Sequence, residues 1–334
     1  MPMNKSVPGE STFRITRAEW IIIAVSLILP VIFDFSPYFQ GLLIFVLMWV
    51  ILGTSWNLLA GYTGLVSFGH AAYFGIGAYA AAIPFAHFGI SPWWGLLTGG
   101  IAAVILGYIL GIIVFRLRGP YFALGTLATA EILRIIFGEE EWLTNGHAGI
   151  LYMTTWISKY PYYYIALALA LGSVFTVKYI MKTKAGFYFL SIREDEDAAE
   201  ALGINTKKYK NIATAASTFW AGMAGAFYMI YMGFIDPEVV FALHNISIIA
   251  ILVGIIGGVG TIWGPAVGAI VMVFMQEFFR SSIFGLAPEW LSRFHSLAFG
   301  LLVIFVILYM AGGIVGDWKL IARWFKPSRL EEQK

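Results

Sequence analysis

Ten apolar stretches alternate with short polar ones along this chain. They run over 20–33, 41–59, 70–87, 94–115, 121–137, 161–180, 211–233, 245–258, 264–279 and 296–314. Most approach the ~20 residues that a helix needs to cross a hydrocarbon core. The pattern predicts an all-α, polytopic integral membrane protein of about ten transmembrane helices. The first stretch follows a polar lead with Lys5, Arg14 and Arg17, as in a signal peptide. It has no small-x-small cleavage site and ends at Asp34 and Pro37, so it reads as an uncleaved first span. The domain division is then a tail over 1–19, a membrane domain over 20–314 and a second tail over 315–334. The region 245–279 leaves three readings open: two short spans, one long span, or a re-entrant pair.

Composition agrees with this pattern. Apolar residues make up 60% and charged residues only 12% of the 334, against roughly 25% charged in a soluble domain. So few charges cannot cover a soluble surface, which excludes an ordinary cytosolic enzyme, a disordered chain and a nucleic-acid binder. Ten spans take about 200 residues, which leaves loops and tails but no second folded domain. There is no cysteine, hence no disulfide framework and no thiolate chemistry.

Charge placement orients the chain. With the N-terminus inside, seventeen of the 21 basic residues lie on the inside, in 5–17, 116–118, 178–210 and 319–334. Arg134, Lys159, Arg280 and Arg293 fall elsewhere. The asymmetry predicts both termini on the cytoplasmic side. The acidic run Glu139, Glu140 and Glu141 then falls in the longest outside loop, 138–160. Trp142, Trp156 and Tyr160 to Tyr164 read there as an interfacial aromatic belt.

Two glycine-rich turns resemble one another, Gly61-Tyr-Thr-Gly64 with Gly69 after the second stretch and Gly258-Val-Gly260 after the eighth. Each leads into a helix of small residues. Small residues let helix backbones approach closely in lipid. Alternatively, irregular backbone at these turns lines a polar path, since it survives at membrane depth only inside protein or beside a cavity. No G-x-x-x-x-G-K-[ST] occurs, so the chain has no phosphate-binding loop of its own. Glu131 and Arg134 share a helix face in the fifth stretch. They read either as a structural ion pair near the outer interface or as part of a gate or docking surface. Ser67 and His70 are also three apart, but no G-x-S-x-G context surrounds them. His70, His87, His147, His244 and His295 form no H-x-x-x-H pair, which argues against hydrolytic or metal chemistry.

The single long inside loop, about 181–210, is the most informative segment. Glu194, Asp195, Glu196 and Asp197 crowd a helix start, where the dipole favours anions. Ala198, Ala201 and Leu202 share one small-residue face, and Gly203 is a natural stop. A short, capped, shallow-faced helix suits insertion into a groove on a partner.

Four segments in order carry a family resemblance. Gly61-Tyr-Thr-Gly-Leu-Val-Ser-Phe-Gly-His-Ala-Ala-Tyr-Phe-Gly-Ile-Gly-Ala-Tyr79 resembles the signature of LivM-type permease subunits of branched-chain amino acid ABC importers. So do Arg116-Leu-Arg-Gly-Pro-Tyr-Phe-Ala-Leu-Gly-Thr-Leu127 leading into Glu131-Ile-Leu-Arg134, and Gly257-Gly-Val-Gly-Thr-Ile-Trp-Gly-Pro265. The loop Ser191-Ile-Arg-Glu-Asp-Glu-Asp-Ala-Ala-Glu-Ala-Leu-Gly-Ile204 resembles that family's cytoplasmic coupling segment. The chain departs from the family's usual Thr-Gly-Gly after the fifth span, reading Thr144-Asn145-Gly146 here. It also has Gly186-Phe187-Tyr188 where a Gly-Arg pair is common. Related permeases for urea, short amides and sugars share the fold.

The resemblance implies a non-catalytic permease domain of the larger importer type in a bacterial or archaeal cytoplasmic membrane. It implies two ABC ATPase subunits that hydrolyse ATP with Mg, a second homologous permease and an extracytoplasmic binding protein, with no cofactor and no metal on this chain. The coupling helix would comprise Arg193, Glu194, Asp195, Ala198, Glu200, Ala201, Leu202 and Gly203. Ala198, Ala201 and Leu202 would face the ATPase, with Arg193 and Glu200 at the edges to pair with it. Gly61, Gly64, Ser67, Gly69, His70, Gly258, Gly260, Glu131 and Arg134 are expected along the translocation path or gate. Glu139, Glu140 and Glu141 are expected to dock the binding protein. An ion-driven secondary transporter would need several acidic groups at mid-membrane, and Glu131 is the one candidate.

Overall fold

The computed structural model describes residues 16–32, 36–152, 158–280, 300–301, 304 and 312–316, nearly all of them helical. The longer helices are α1 (Arg17–Ile32), α2 (Pro37–Thr63), α3 (His70–Phe88), α4 (Gly95–Val114) and α5 (Pro120–Glu139). After α6 (Glu141–Thr144) come α7 (Tyr160–Lys182), α8 (Lys184–Glu194), α9 (Glu196–Ala201) and α10 (Thr206–Met232). The chain continues through α11 (Pro237–Val240), α12 (Ile249–Gly257) and α13 (Gly264–Arg280). A helix satisfies its backbone polar groups from within, which is what an apolar surrounding demands. Accordingly each of the first nine apolar stretches forms a helix. Pro37, Pro120 and Pro237 each open one, where the missing N–H costs nothing.

Six helical segments among the described residues are long and apolar enough to cross a membrane: Pro37–Thr63, His70–Phe88, Pro92–Val114, Pro120–Glu139, Tyr160–Lys182 and Pro237–Gly257. Glu19–Pro30 and Gly264–Phe278 are shorter apolar helices. The 27-residue α10 is long enough but is not among the six. It carries Lys210, Asn211, Thr214, Ser217 and Thr218, and its flank is enclosed by α2, α3 and α4. Lys210, Thr214, Ser217 and Thr218 are buried in that packing. The tenth stretch, 296–314, lies largely outside the described residues, as do most of both tails.

Nearly all of α2 from Gln40 to Thr63 is buried, and α7, α10, α12 and α13 pack around it. A second tight group joins α3, α4 and α10 through small residues. A Cβ on Gly77 would run into the backbone of Gly222, and one on Gly225 into the backbone of Phe74. Such contacts replace the hydrophobic drive that lipid cannot supply. The outer sides of α4 and α5 expose Ile101, Ile105, Ile112, Ile132 and Ile136.

The region 245–279 is not one long span. A π-helical turn, Leu243–Ile248, leads into α12, the chain turns at 258–263, and α13 packs back against α12. Its apparent counterpart is built differently, because α3 packs on α10 and α4 after the 64–69 turn. The two glycine turns therefore do not head equivalent hairpins.

Of the expected aromatic belt, two residues are core, while Tyr160 and Tyr164 are half-buried. Tyr162 and Tyr163 are only 2% and 4% exposed. The Tyr162 ring lies 6.0 Å from that of Trp93, and Tyr163 Oη donates to Ser26 O at 2.8 Å. Trp142, at 79% exposed, fits a belt position, and Trp156 lies outside the described residues. Two short antiparallel strands, β1 (Ile150–Leu151) and β2 (Phe234–Ile235), tie the segment after α6 to the end of α10.

Candidate functional site at the coupling end

The segment expected to form one helix from Glu194 to Leu202 is two helices. Glu194 closes α8, and Asp195 breaks the path with an extended backbone. Its side chain then caps α9, accepting Ala198 N–H at 2.9 Å. The acidic run competes with helix continuation because an Asp at the N-cap satisfies an orphan N–H. Only Glu196 and Asp197 of that run lie in the first turn of α9. At the other end Gly203 adopts φ 85°, a left-handed value that glycine reaches without penalty. Ile204 N–H returns to Ala199 O at 3.1 Å, and Asn205 caps α10 through Lys208 N–H.

The faces of α9 divide as the small-residue pattern suggested. Ala199, 2% exposed, packs inward, whereas Ala198, Ala201 and Leu202 point outward, with Leu202 83% exposed. The edge residues have partners within the chain. Glu200 accepts from Thr206 Oγ1, and Arg193 Nη1 donates to Gly61 O at 2.7 Å. Two ion pairs hold α9 further. Glu196 pairs with the buried Lys210, and Asp197 pairs with Arg118 at 3.0 Å across an exposed gap. The Asp197 carboxylate raises the Arg118 pKa above its ordinary value through that hydrogen bond.

Arg193 brings the coupling segment to both glycine turns at once. Gly61 and Gly260 face each other, and a Cβ on Gly61 would stand 2.5 Å from Gly260 N. Asn57, one turn earlier on α2, bridges them. Its Oδ1 accepts Gly260 N–H at 2.8 Å, and its Nδ2 donates to Thr261 O at 2.8 Å. Gly61 O is one of the last carbonyls of α2, which lack helical partners. A guanidinium there satisfies one and sits favourably at the negative end of the helix dipole. Gly64, at φ 73°, ends α2 beside the Arg193 backbone. A cavity of about 470 Å³ opens next to this junction, lined in part by Gly64, Phe68, Arg118, Ile192 and Arg193.

Ser67 and His70 are not partners. Ser67 Oγ accepts Gly69 N–H at 3.1 Å, and its carbonyl accepts Trp56 Nε1–H at 2.9 Å. Fully buried, His70 places Nε2 3.3 Å from Ser217 Oγ, and Ser217 and Ser55 exchange hydrogen bonds between α10 and α2. Gly69 abuts the Thr126 backbone on α5, and Thr126 Oγ1 accepts Phe68 N–H at 3.0 Å. These contacts interlock α2, α3, α5 and α10.

At the opposite end Arg134 pairs with Glu131 as the spacing foretold, and also with Glu238 of α11. His147 lies 3.7 Å from Glu238 and 3.9 Å from Glu139. Glu139, Glu140 and Glu141 are exposed. Sequence reasoning missed Glu238, Asn57 and the buried Glu19–Lys178 pair. Asn57 had a signal, being the one amide side chain in the stretch 41–59.

Comparison with known proteins covers most of this architecture. Residues 38–318 match the family described as branched-chain amino acid transport system / permease component. The high-affinity branched-chain amino acid transport system permease protein LivM of Escherichia coli K12 is 27% identical over 299 residues, covering 80% of this chain and 68% of that protein. The probable branched-chain amino acid transport permease protein LivM of Methanocaldococcus jannaschii is 23% identical, covering 85% of this chain and 95% of that one. The autoinducer 2 import system permease protein LsrC of Salmonella typhi is 23% identical over 218 residues, covering 63% of this chain and 60% of that one. No solved structure matches. The family match extends from the start of α2 past the helix Gly313–Gly316 and takes in both glycine turns and the α8–α9 segment; this multi-pass chain therefore belongs to the branched-chain amino acid permease family, as a non-catalytic permease component of an ABC transporter.

Proposed function

We propose that this chain forms half of a translocation pathway for branched-chain amino acids in a bacterial or archaeal cytoplasmic membrane. A second homologous permease completes the path, a binding protein delivers substrate from outside, and two ATPase subunits drive it with ATP and Mg. The chain crosses about ten times, with both termini cytoplasmic. In this reading Gly61, Gly64, Gly258 and Gly260 flank the inner gate, with Ser67, Gly69 and His70 behind it. Glu131 and Arg134 stand at the outer mouth. The observation that carries the reading is the short capped helix α9, held to the body by Ala199 and presenting Ala198, Ala201 and Leu202 outward. A connector between α8 and α10 needs no exposed leucine of this kind, whereas a groove on an ATPase would cover it.

Replacing Ala201 by Trp overfills that contact without touching a membrane helix. The variant is expected at normal abundance, with co-purification of the ATPases and ATP-driven uptake into proteoliposomes both at least about tenfold down, the scale of a lost interface anchor. Wild-type assembly and uptake in the variant would reduce α9 to a connector. A second solute reading has support of its own, from the likeness to LsrC, a permease for a different solute. Titrating the binding protein with leucine and with other small solutes decides between them.

A further inference from the structure

We infer that Asn57 and Arg193 form a latch that makes the turn 258–261 move with the coupling segment; this rests on the functional reading above. Three observations converge on it. First, α8 is seated on the end of α2: its fully buried Phe189 clusters with Leu58, Tyr62, Val177 and Ala213. A push on α8 therefore reaches α2. Second, Arg193 at the last turn of α8 holds Gly61 O at 2.7 Å, and a Cβ on Gly260 would stand 3.0 Å from the same Nη1. Third, the Asn57 amide holds both a donor and an acceptor of the 260–261 backbone, each at 2.8 Å.

That pairing is the part that transmits motion. The turn 258–263 joins α12 to α13, and it has few backbone hydrogen bonds of its own beyond Thr261 N–H and Oγ1 to Gly258 O. Left to itself such a turn would follow α12 and α13. With the amide satisfying Gly260 N–H and Thr261 O, sliding the turn away from α2 would break two hydrogen bonds of half-buried backbone groups at once, and that is costly. Glycines at 61 and 260 are what let the two backbones close on the amide, since a side chain at either would hold them apart. Asn57 and Arg193 are thus positioning residues: they touch backbone rather than substrate, and they join the segment facing the ATPase to the helices of the inner gate.

The test uses the assembled transporter in proteoliposomes. Arg193→Met keeps side-chain length and removes the donors, Arg193→Lys restores one, and Asn57→Leu removes the amide at similar volume. Leucine uptake per ATP hydrolysed is expected to fall about tenfold in Arg193→Met and in Asn57→Leu, within the range of coupling between distant sites. Assembly and basal hydrolysis should stay near wild type in Asn57→Leu, which lies away from the segment facing the ATPase, and Arg193→Lys should recover a substantial part of the coupling lost in Arg193→Met. Because the chain has no cysteine, a spin-label pair at Lys184→Cys and Val259→Cys reports the latch directly. Their separation should be the same without nucleotide and with trapped ATP in the wild-type background, and should change between those states in Arg193→Met. Unchanged coupling in Arg193→Met, a separation that stays constant in that variant, or loss of assembly in Asn57→Leu would each overturn the latch. If wild-type complex takes up no leucine, the solute assignment fails while the label pair still decides the latch. If the wild-type chain binds no ATPase, the functional reading fails and the latch with it.

Discussion

Lys178 shows how much one residue depends on its surroundings. Its ammonium meets the Glu19 carboxylate with both side chains only 7% exposed, and Trp263 Nε1 donates to the same carboxylate at 3.3 Å. The pair therefore joins α1, α7 and the turn before α13. Removing one partner strands a charge, which costs about 3–5 kcal/mol, while replacing both by apolar groups is often close to neutral. Lys178→Met is expected to lower the unfolding temperature in detergent markedly, and Lys178→Met with Glu19→Leu to recover most of the loss. Equal melting of the single variant and wild type would show that the pair contributes little. Sequence spacing hid this contact, because 159 residues separate the partners. It did reveal Glu131 with Arg134, three residues apart on one helix.

Among the elements, the segment from the end of α5 through α6 to β1 carries a run of exposed acidic charge. Glu139, Glu140 and Glu141 are exposed, with Arg134 and His147 as the nearby basic groups and Glu238 adding to the acidic side. If this element receives the binding protein, changing all three glutamates to glutamine should weaken docking. The loss should be roughly three- to tenfold near 0.01 M ionic strength and much smaller near 0.15 M, where screening acts over about 8 Å. Equal affinity at both salt levels, measured with the purified binding protein, would make the run a solvated loop. At this scale the hydrophobic pattern located nine helices, since a run of apolar residues has no other way to satisfy its backbone. The acidic run placed the start of the coupling helix at Glu194, too early, because the boundary is a contest within one residue: Asp195 does better as a cap than as a helical residue, and Glu194 closes α8 instead.

For the whole molecule, labelling from one side of the membrane reads out which way it faces. The expected orientation puts 178–210 inside and 138–160 outside. Lys208 is exposed at the start of α10, and Trp142 is 79% exposed. Asn145 is the poorer site for a label, because it holds φ 62° and donates to Gly149 O at 2.7 Å. In intact cells, Trp142→Cys should react with an impermeant maleimide and Lys208→Cys should not. The reverse pattern would invert the topology.

The sequence by itself determined the class of this protein. Sixty per cent apolar content in helix-length runs, with bases gathered between particular runs, leaves little besides a multi-pass helical protein. Its ordered motifs already resembled the permease family. Those properties are local or additive along the chain, so they survive being read one segment at a time. What only the tertiary structure decided was who meets whom. Arg193 reaches inward to Gly61 rather than outward to a partner, Asn57 spans to Gly260 and Thr261, and α10 turns Lys210, Thr214, Ser217 and Thr218 into the protein. These depend on backbones brought close together at glycines far apart in the chain, and such an approach exists only once the helices have packed.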